Sequence, residues 1–147
     1  MILSEGNIQF EFPRGSYKLD NLSNPPQGMM LVDFVVEETE RTLLIEVKDL
    51  GKLRSNIISN NLVPKCRDSY CYLHLMREDR KKFLYVVLIL YKPESPLLMN
   101  FADRLRSRLR KETDKPWKRE YVSDCVALTS IEKWNTYFPE YQATAIT

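Results

Sequence analysis

Asp33, Glu46 and Lys48 have the residue types and the spacing of a site that could carry chemistry. They lie within two apolar runs, residues 31–37 and 42–49, in which alternation is clear and β-branched side chains are common. Both features are typical of β-strands. Carboxylates and an amine on neighbouring strands could bind a divalent cation and stabilise negative charge that develops in a reaction.

The connection between the two strands, residues 38–41, is short enough for a hairpin. A turn at its centre would place Asp33 directly opposite Glu46. Like charges in that position destabilise a sheet, because the Cβ atoms are roughly 4.5–5.5 Å apart. A divalent cation bound by both carboxylates would compensate. Lys48 would lie one pleat away from Glu46, on the same face.

The alternate positions of this hairpin form a uniformly apolar face. Its residues are Val32, Phe34, Val36, Leu43, Ile45 and Val47. We therefore expect this face to pack in a core and the opposite face to present Asp33, Glu46 and Lys48. A slip of one residue would turn the carboxylates into the core, so the pattern specifies one register.

Asp33 followed by Glu46-Val47-Lys48 resembles the PD-(D/E)XK nuclease superfamily, in which a metal-binding Asp on one strand precedes Glu-x-Lys on the next. The resemblance implies a restriction-endonuclease-like α/β fold, a mixed sheet with helices on both faces. It implies that Asp33, Glu46 and the main-chain carbonyl of Val47 hold Mg²⁺ or Mn²⁺, and that Lys48 positions or activates the attacking water. The implied activity is metal-dependent hydrolysis of phosphodiester bonds, above all in DNA.

Two departures from the superfamily pattern concern the N-terminal half of the chain. Val32 stands where the motif that names the superfamily has proline. Many members also begin with a helix that supplies a further acidic residue, and no helix is predicted here before residue 20. Glu5 and Glu11 are the available candidates for that acidic ligand.

The remaining elements alternate between strands and helices, which favours a mixed sheet covered on both sides. Pro64 fits a first helical position, with Val63 before it outside the helical region. Ser130 is expected to cap the last helix. The predicted elements are a strand at 7–12, a loop at 14–28, the hairpin at 30–49, a helix at 53–81 interrupted near Pro64, a buried strand at 81–92, a helix at 97–112, a strand at 124–130, a helix at 131–138 and a frayed tail after Tyr141.

Length and composition favour one domain, residues 1–147, with the nuclease-like core at about 30–130. Hydrophobic residues make up 44% and charged residues 29%, as in soluble globular proteins. No apolar run approaches the roughly 20 residues of a membrane span. Three cysteines without framework spacing favour a reducing compartment, so a cytoplasmic location is expected.

The basic charge is concentrated between residues 104 and 119, a segment that contains eight Lys or Arg and two acidic residues. This segment carries +6 in a chain whose net charge is only +2, which suits a polyanionic partner. A solvated helix face is the alternative interpretation. The predicted nucleic-acid surface, called the basic surface below, comprises Arg104, Arg108, Lys111, Lys115, Lys118 and Arg119. Trp117 could stack on a base or pack in the core.

Other chemistries are weakly supported. Cys66, Cys71 and His74 have offsets that scatter them around a helix, and a fourth zinc ligand is missing. His74 is the one histidine of the chain, which disfavours a Ser-His-Asp mechanism.

Two non-enzymatic functions stay open. One is a catalytically inactive nuclease-fold protein that acts as a nucleic-acid-binding or assembly subunit. The other is a basic protein–protein adaptor that docks through the helix at 97–112. If the chain is a nuclease, specificity could come from a homodimer or from a partner protein.

Overall fold

The computed structural model describes residues 1–22, 26–49, 56–77, 79–90, 100–110, 118, 122 and 124–146. The strands among these residues are β1 (Ile2–Glu5), β2 (Ile8–Glu11), β3 (Tyr17–Lys18), β4 (Phe34–Glu37), β5 (Arg41–Asp49), β6 (Lys82–Leu90), β7 (Asp124–Leu128) and β8 (Ala143–Ala145). The helices are α1 (Val63–Met76), α2 (Phe101–Arg110) and α3 (Ile131–Tyr137), with a 3₁₀ turn at Leu19–Asn21 and a π-helical turn at Ile58–Leu62.

A mixed five-stranded sheet forms the centre of this α/β fold, with strand order β3-β4-β5-β6-β7. Strands β3 to β5 pair antiparallel, and β5, β6 and β7 pair parallel. A second, antiparallel sheet has the order β1-β2-β8. The expected mixed sheet, with helices between its parallel strands, is confirmed.

The β4–β5 hairpin has the predicted register. Phe34 pairs with Ile45 and Glu37 with Thr42, and the loop closes through a 2.9 Å hydrogen bond from Glu38 N to Arg41 O. The predicted apolar face is buried on one side of the sheet, although Val32 packs on the other side. The core on this side, called the aromatic core, includes Phe10, Phe12, Phe34, Trp134 and Phe138.

The opposite face of the hairpin carries Asp33, Glu46 and Lys48, and it is covered too, in agreement with the expected sheet that has helices on both faces. Helices α1 and α2 cover it, because the parallel strands β5, β6 and β7 are joined by chain that returns across this face. The core on this side, called the helix-side core, includes Val35, Leu44, Leu62, Cys66, Tyr85, Val87, Phe101, Leu105 and Leu109.

Strand β6 and helix α2 confirm two sequence predictions. Residues 83–89 of β6 are all buried, as expected of a central strand between two packed layers. Helix α2 buries Phe101, Leu105 and Leu109, the described part of the predicted i, i+4 stripe. Leu97, at the start of that stripe, lies outside the described residues.

The start of α1 differs from the prediction at Val63, which is helical (φ −68°, ψ −50°). Proline lacks an N–H and its ring crowds the carbonyl four residues earlier in an α-helix. The π-helical turn at Ile58–Leu62 directly before Pro64 widens the backbone there, which lets the helix continue through the proline.

Two segments predicted to be irregular, the loop at 14–28 and the C-terminal tail, contain regular elements. The loop at 14–28 contains β3 and the 3₁₀ turn. The prediction of a frayed tail was wrong, because β8 pairs with β2 and Tyr141 and Ala143 are buried.

Ser130 caps α3 as predicted, its Oγ accepting a 3.0 Å hydrogen bond from Lys133 N. In the described part of the chain, no helix is long and apolar enough to cross a membrane.

Ending the chain at Glu140 should lower the free energy of unfolding by about 3–5 kcal/mol, as loss of a buried aromatic residue does. The cut removes Tyr141, whose carbonyl accepts a 2.7 Å hydrogen bond from Trp134 Nε1, and all of β8. Urea denaturation would measure the change. Ending the chain at Ala145 keeps β8 and is the control, expected to cost about 1 kcal/mol or less. Equal stability of both truncations would contradict this role of the C-terminal strand.

Candidate functional site

Asp33 and Glu46 lie beside each other at the edge of the helix-side core. Both are buried, with 3% and 1% of their surfaces exposed. The β4 ladder begins at Phe34, one residue after Asp33, and Asp33 Oδ2 accepts a 2.7 Å hydrogen bond from Val47 N. Because the β4 ladder begins only at Phe34, it does not reach the backbone N–H of Val47 in β5. The Asp33 side chain accepts this hydrogen bond instead.

The segment before Asp33 is held from two sides. Helix α1 provides Ser69, whose Oγ accepts a 2.9 Å hydrogen bond from Val32 N. The 3₁₀ turn donates Leu19 N to Asp33 O at 3.2 Å and Asp20 N to Val32 O at 3.1 Å. These backbone bonds fix the position of the Asp33 carboxylate and bring Asp20 next to it.

Two lysines compensate the charge of Glu46. Lys65, in the first turn of α1, lies 3.0 Å from Glu46 Oε1, and Lys48 lies 3.6 Å from the same oxygen. The other oxygen, Oε2, is buried and has no hydrogen-bond partner within the described part of the chain. The Asp33 carboxyl group contacts Glu46, so a proton held between the two groups, or a cation in its place, would compensate this buried oxygen.

Burial raises the pKa of both facing carboxyl groups. Desolvation is the main cause for Asp33, and the neighbouring Glu46 charge adds to it, so that the pKa of Asp33 rises to about 7. Desolvation also raises the pKa of Glu46, although Lys65 and Lys48 oppose this shift. Desolvation opposes the charge of Lys65, yet contact with Glu46 raises its pKa overall. The pair therefore retains a proton near neutral pH when no cation is bound.

Two further carboxylates join this pair from the N-terminal region. Glu5, the last residue of β1, and Asp20, in the 3₁₀ turn, each place a carboxylate oxygen within 4.8 Å of the other and of Asp33. Lys18 Nζ lies 2.9 Å from Glu5 Oε2. We call Glu5, Asp20, Asp33 and Glu46 the carboxylate cluster. Within it, Asp33 contacts both Glu46 and Asp20.

Asp20 is exposed at the surface, but its carboxyl group faces the cluster. Desolvation and a hydrogen bond to Asp33 raise the pKa of Asp20 to about 6, while Lys18 opposes the shift. Oxygens on opposite sides of one hard cation are about 4–5 Å apart, given metal–oxygen distances of roughly 2.0–2.6 Å. The Glu5, Asp20 and Asp33 oxygens lie within that range and could hold such an ion.

Sequence reasoning found part of this arrangement. It identified Asp33, Glu46 and Lys48, and Glu5 as one of two candidates for a further acidic ligand. The other candidate, Glu11, is exposed and lies 3.4 Å from the N-terminal amine.

Sequence reasoning missed Asp20 and Lys65. The available signal for Lys65 was its position directly after Pro64. A helix that follows β5 begins near the carboxyl end of that strand, where Glu46 and Lys48 lie.

The basic surface is described only in part. Arg108 and Lys118 are exposed, and Arg104 packs over the Phe101 ring at 5.7 Å. Lys111, Lys115 and Arg119 lie outside the described residues, as does Trp117. The two cysteines weighed as zinc ligands differ in exposure, since Cys66 is buried and Cys71 is exposed.

Comparisons of the chain with models of protein families, with curated proteins and with solved structures found no significant match.

Asp33→Asn should stabilise the cation-free protein increasingly as the pH rises from 5 to 8. The folded state holds the Asp33 proton up to about pH 7, whereas the unfolded state releases it near 3.8, so the wild-type protein loses stability across that interval. Asparagine does not titrate and can still accept the hydrogen bond from Val47 N. The melting temperature of Asp33→Asn minus that of wild type, measured in EDTA, should rise by about 4–8 °C, or about 2 kcal/mol.

Glu11→Gln is the matched control, because Glu11 is an exposed carboxylate outside the cluster. Its melting temperature should stay parallel to that of wild type across the same pH range. A pH-independent difference for Asp33→Asn would show that Asp33 is ionised throughout.

Proposed function

We propose that this chain is a metal-dependent nuclease that hydrolyses phosphodiester bonds, above all in DNA, with a restriction-endonuclease-like fold of the PD-(D/E)XK type. The observation that carries the proposal is the buried contact of Asp33 with Glu46, extended by Glu5 and Asp20 and flanked by lysines. A buried like-charged pair is expensive to maintain, and a cation would relieve its cost.

Mg²⁺ or Mn²⁺ would be held by Asp33 and Glu46, with the main-chain carbonyl of Val47 and with Glu5 or Asp20. The buried Glu46 Oε2 supports Glu46 as a ligand. The spacing of at most 4.8 Å joins oxygens of Glu5, Asp20 and Asp33, a group that does not include Glu46, and supports these three on the other side of the site. When bound, the ion supplies positive charge at the scissile phosphate and lowers the pKa of a coordinated water. Carboxylates and waters are the ligands that Mg²⁺ prefers.

The two lysines beside Glu46 have different roles in this proposal. Lys65 makes the shorter contact, 3.0 Å, and acts as the structural counter-ion of Glu46. Lys48 lies farther from it, at 3.6 Å, while both lysine side chains are 17% exposed. Lys48 is therefore the ammonium group that can turn to the scissile phosphate, orient the attacking water and stabilise charge in the transition state.

The basic surface would bind the phosphate backbone of the substrate. The exposed Arg108 and Lys118 support this role, and the positive charge concentrated at 104–119 points to the same partner. Such contacts carry no sequence information by themselves. Sequence or structure preference would then come from a homodimer or from a partner protein.

One observation favours a second function. Lys18, Lys48 and Lys65 already lie within 3.6 Å of carboxylates of the cluster, so the chain can balance part of this charge with its own amines. A catalytically inactive nuclease-fold protein that binds nucleic acid or assembles with another subunit would keep such an arrangement. Cleavage distinguishes the two functions.

Cleavage of plasmid, linear and single-stranded DNA and of RNA tests the nuclease proposal, with Mg²⁺, Mn²⁺ or EDTA. We expect cutting that requires the metal and that falls by about 100-fold or more in Asp33→Ala and Lys48→Ala, since each removes charge stabilisation at the reacting phosphate. Lys133→Ala, an exposed lysine of α3, is the control and should cut as wild type does.

Cutting that persists in Asp33→Ala and Lys48→Ala would sink the site assignment. Salt-sensitive nucleic-acid binding without cutting would favour the inactive binding subunit. Absence of both would favour the protein–protein adaptor.

Comparison of Lys65→Met with Lys48→Met should separate the contribution of Lys65 to stability from that of Lys48 to cleavage. Removal of Lys65 leaves Glu46 buried with its closest counter-ion missing, which should cost about 3 kcal/mol in the free energy of unfolding at pH 8. Lys48→Met should cost clearly less stability but abolish most cleavage. Urea denaturation and cleavage of the same preparations provide both readouts. Equal stability of the two variants would contradict the separate roles.

A further inference from the structure

A cavity of about 430 Å³ lies at the end of α1 that is remote from the carboxylate cluster. The last turns of α1 and the start of β6 line it. Its volume is in the range of small-molecule sites, roughly 300–1,000 Å³. The proposed nuclease function does not use this cavity.

The apolar wall of the cavity is aromatic. Tyr70 and Phe83 meet edge to face, with ring centroids 5.1 Å apart. His74 stacks on Tyr70 at 5.5 Å with an interplanar angle of 15°, and the guanidinium of Arg77 lies 5.4 Å from the centroid of Phe83. A flat aromatic ligand can extend such a stack, as nucleic-acid bases do on protein aromatics.

Two of the four cations that line the cavity are compensated by acidic groups of the chain. Arg77 contacts Glu37, and its NH2 lies 2.5 Å from Asp79 Oδ1. Lys81 Nζ lies 2.7 Å from Glu37 Oε2. These contacts hold the wall of the cavity in place. The charges of the two cations and of Glu37 and Asp79 sum to zero.

The other two cations carry the surplus charge. Arg80 and Lys82 are exposed and line the cavity, and neither has an ion-pair partner among the residues that the structure describes. Arginine offers a fork of N–H donors that matches a phosphate group, and lysine adds a point charge. Among the described residues the surplus is two positive charges, which suits a phosphate monoester with its nearly two negative charges at neutral pH.

We propose that this cavity binds a mononucleotide, with the base on the Tyr70–His74 aromatic wall and the phosphate at Arg80 and Lys82. A terminal 5′-phosphate of a nucleic-acid strand has the same chemistry. The cavity volume and its lining by one helix end and one strand start favour the free mononucleotide.

The cavity is separate from the carboxylate cluster. Arg77 NH2 lies 3.0 Å from Thr42 Oγ1, and Thr42 precedes Glu46 by four strand residues, or about 13 Å. Lys65 and Arg77 mark opposite ends of α1, about 18 Å apart. A ligand at one end therefore does not occupy the other.

Calorimetric titration of the full chain in EDTA tests the proposal with 5′-AMP, adenosine and inorganic phosphate as probes. We expect saturable binding of 5′-AMP, and at least about tenfold weaker binding of adenosine and of phosphate, because each lacks half of the contacts. The Arg80→Ala/Lys82→Ala double variant should weaken 5′-AMP binding by about tenfold or more. Both side chains are exposed, so the variant should fold.

Arg14→Ala is the matched control, since Arg14 is exposed and does not line the cavity. His74→Ala should lower the affinity for 5′-AMP but not that for phosphate. The titration is run in EDTA, where a metal-dependent nuclease is inactive, which keeps this result independent of the nuclease proposal.

Two results would overturn the proposal. The first is 5′-AMP binding that is absent or unaffected by the double variant. The second is binding of a 5′-phosphorylated oligonucleotide through Arg80 and Lys82 without binding of 5′-AMP, which would make the cavity a site for strand ends.

Discussion

The burial of two facing carboxylates is the constraint around which this structure is organised. Asp33 and Glu46 are almost inaccessible to solvent, Asp33 directly before β4 and Glu46 within β5. In a medium of low dielectric constant, neither can hold a charge without nearby compensation. The compensation is divided between lysines, a backbone N–H and a retained proton. Among these contacts, Lys65 connects α1 to Glu46, and the N–H of Val47 connects β5 to Asp33.

Helix α1 is positioned by this requirement at both of its ends. Its first turn brings Lys65 to Glu46, and Ser69 binds the backbone beside Asp33. Beyond its last turn, Arg77 contacts Glu37 and Thr42 of the hairpin. The apolar residues between these ends fill the helix-side core. Polar contacts thus set where the helix begins and ends along the sheet, and burial of its middle supplies the stability.

The small sheet and the aromatic core have a part in the site although they lie on the other face. Strand β2 packs Phe10 against Phe34 and Trp134, with ring centroids 5.4 and 5.0 Å away. Strand β1 pairs with β2, and its last residue is Glu5. The aromatic contacts therefore hold the β1–β2 pair, which places Glu5 beside Asp33. Strand β8, from the C-terminal part of the chain, pairs with β2 in the same sheet.

Features that depend on neighbours along the chain could be predicted from the sequence. The period of two and the short loop specified the hairpin register that pairs Phe34 with Ile45 and sets Glu46 near Asp33. The period of 3.6 specified the buried stripe of α2, and capping chemistry specified Ser130.

Contacts between residues that are distant in the sequence depend on how the elements pack. Glu5, Asp20 and Lys65 reach the facing pair through separate elements, and no periodicity encodes those encounters. The alternating pattern of the hairpin also left open whether the charged face would be covered. Helices α1 and α2 cover it, and that burial makes the facing carboxyl groups retain a proton. Local patterns fix the geometry within an element, whereas burial and charge compensation depend on how the elements pack.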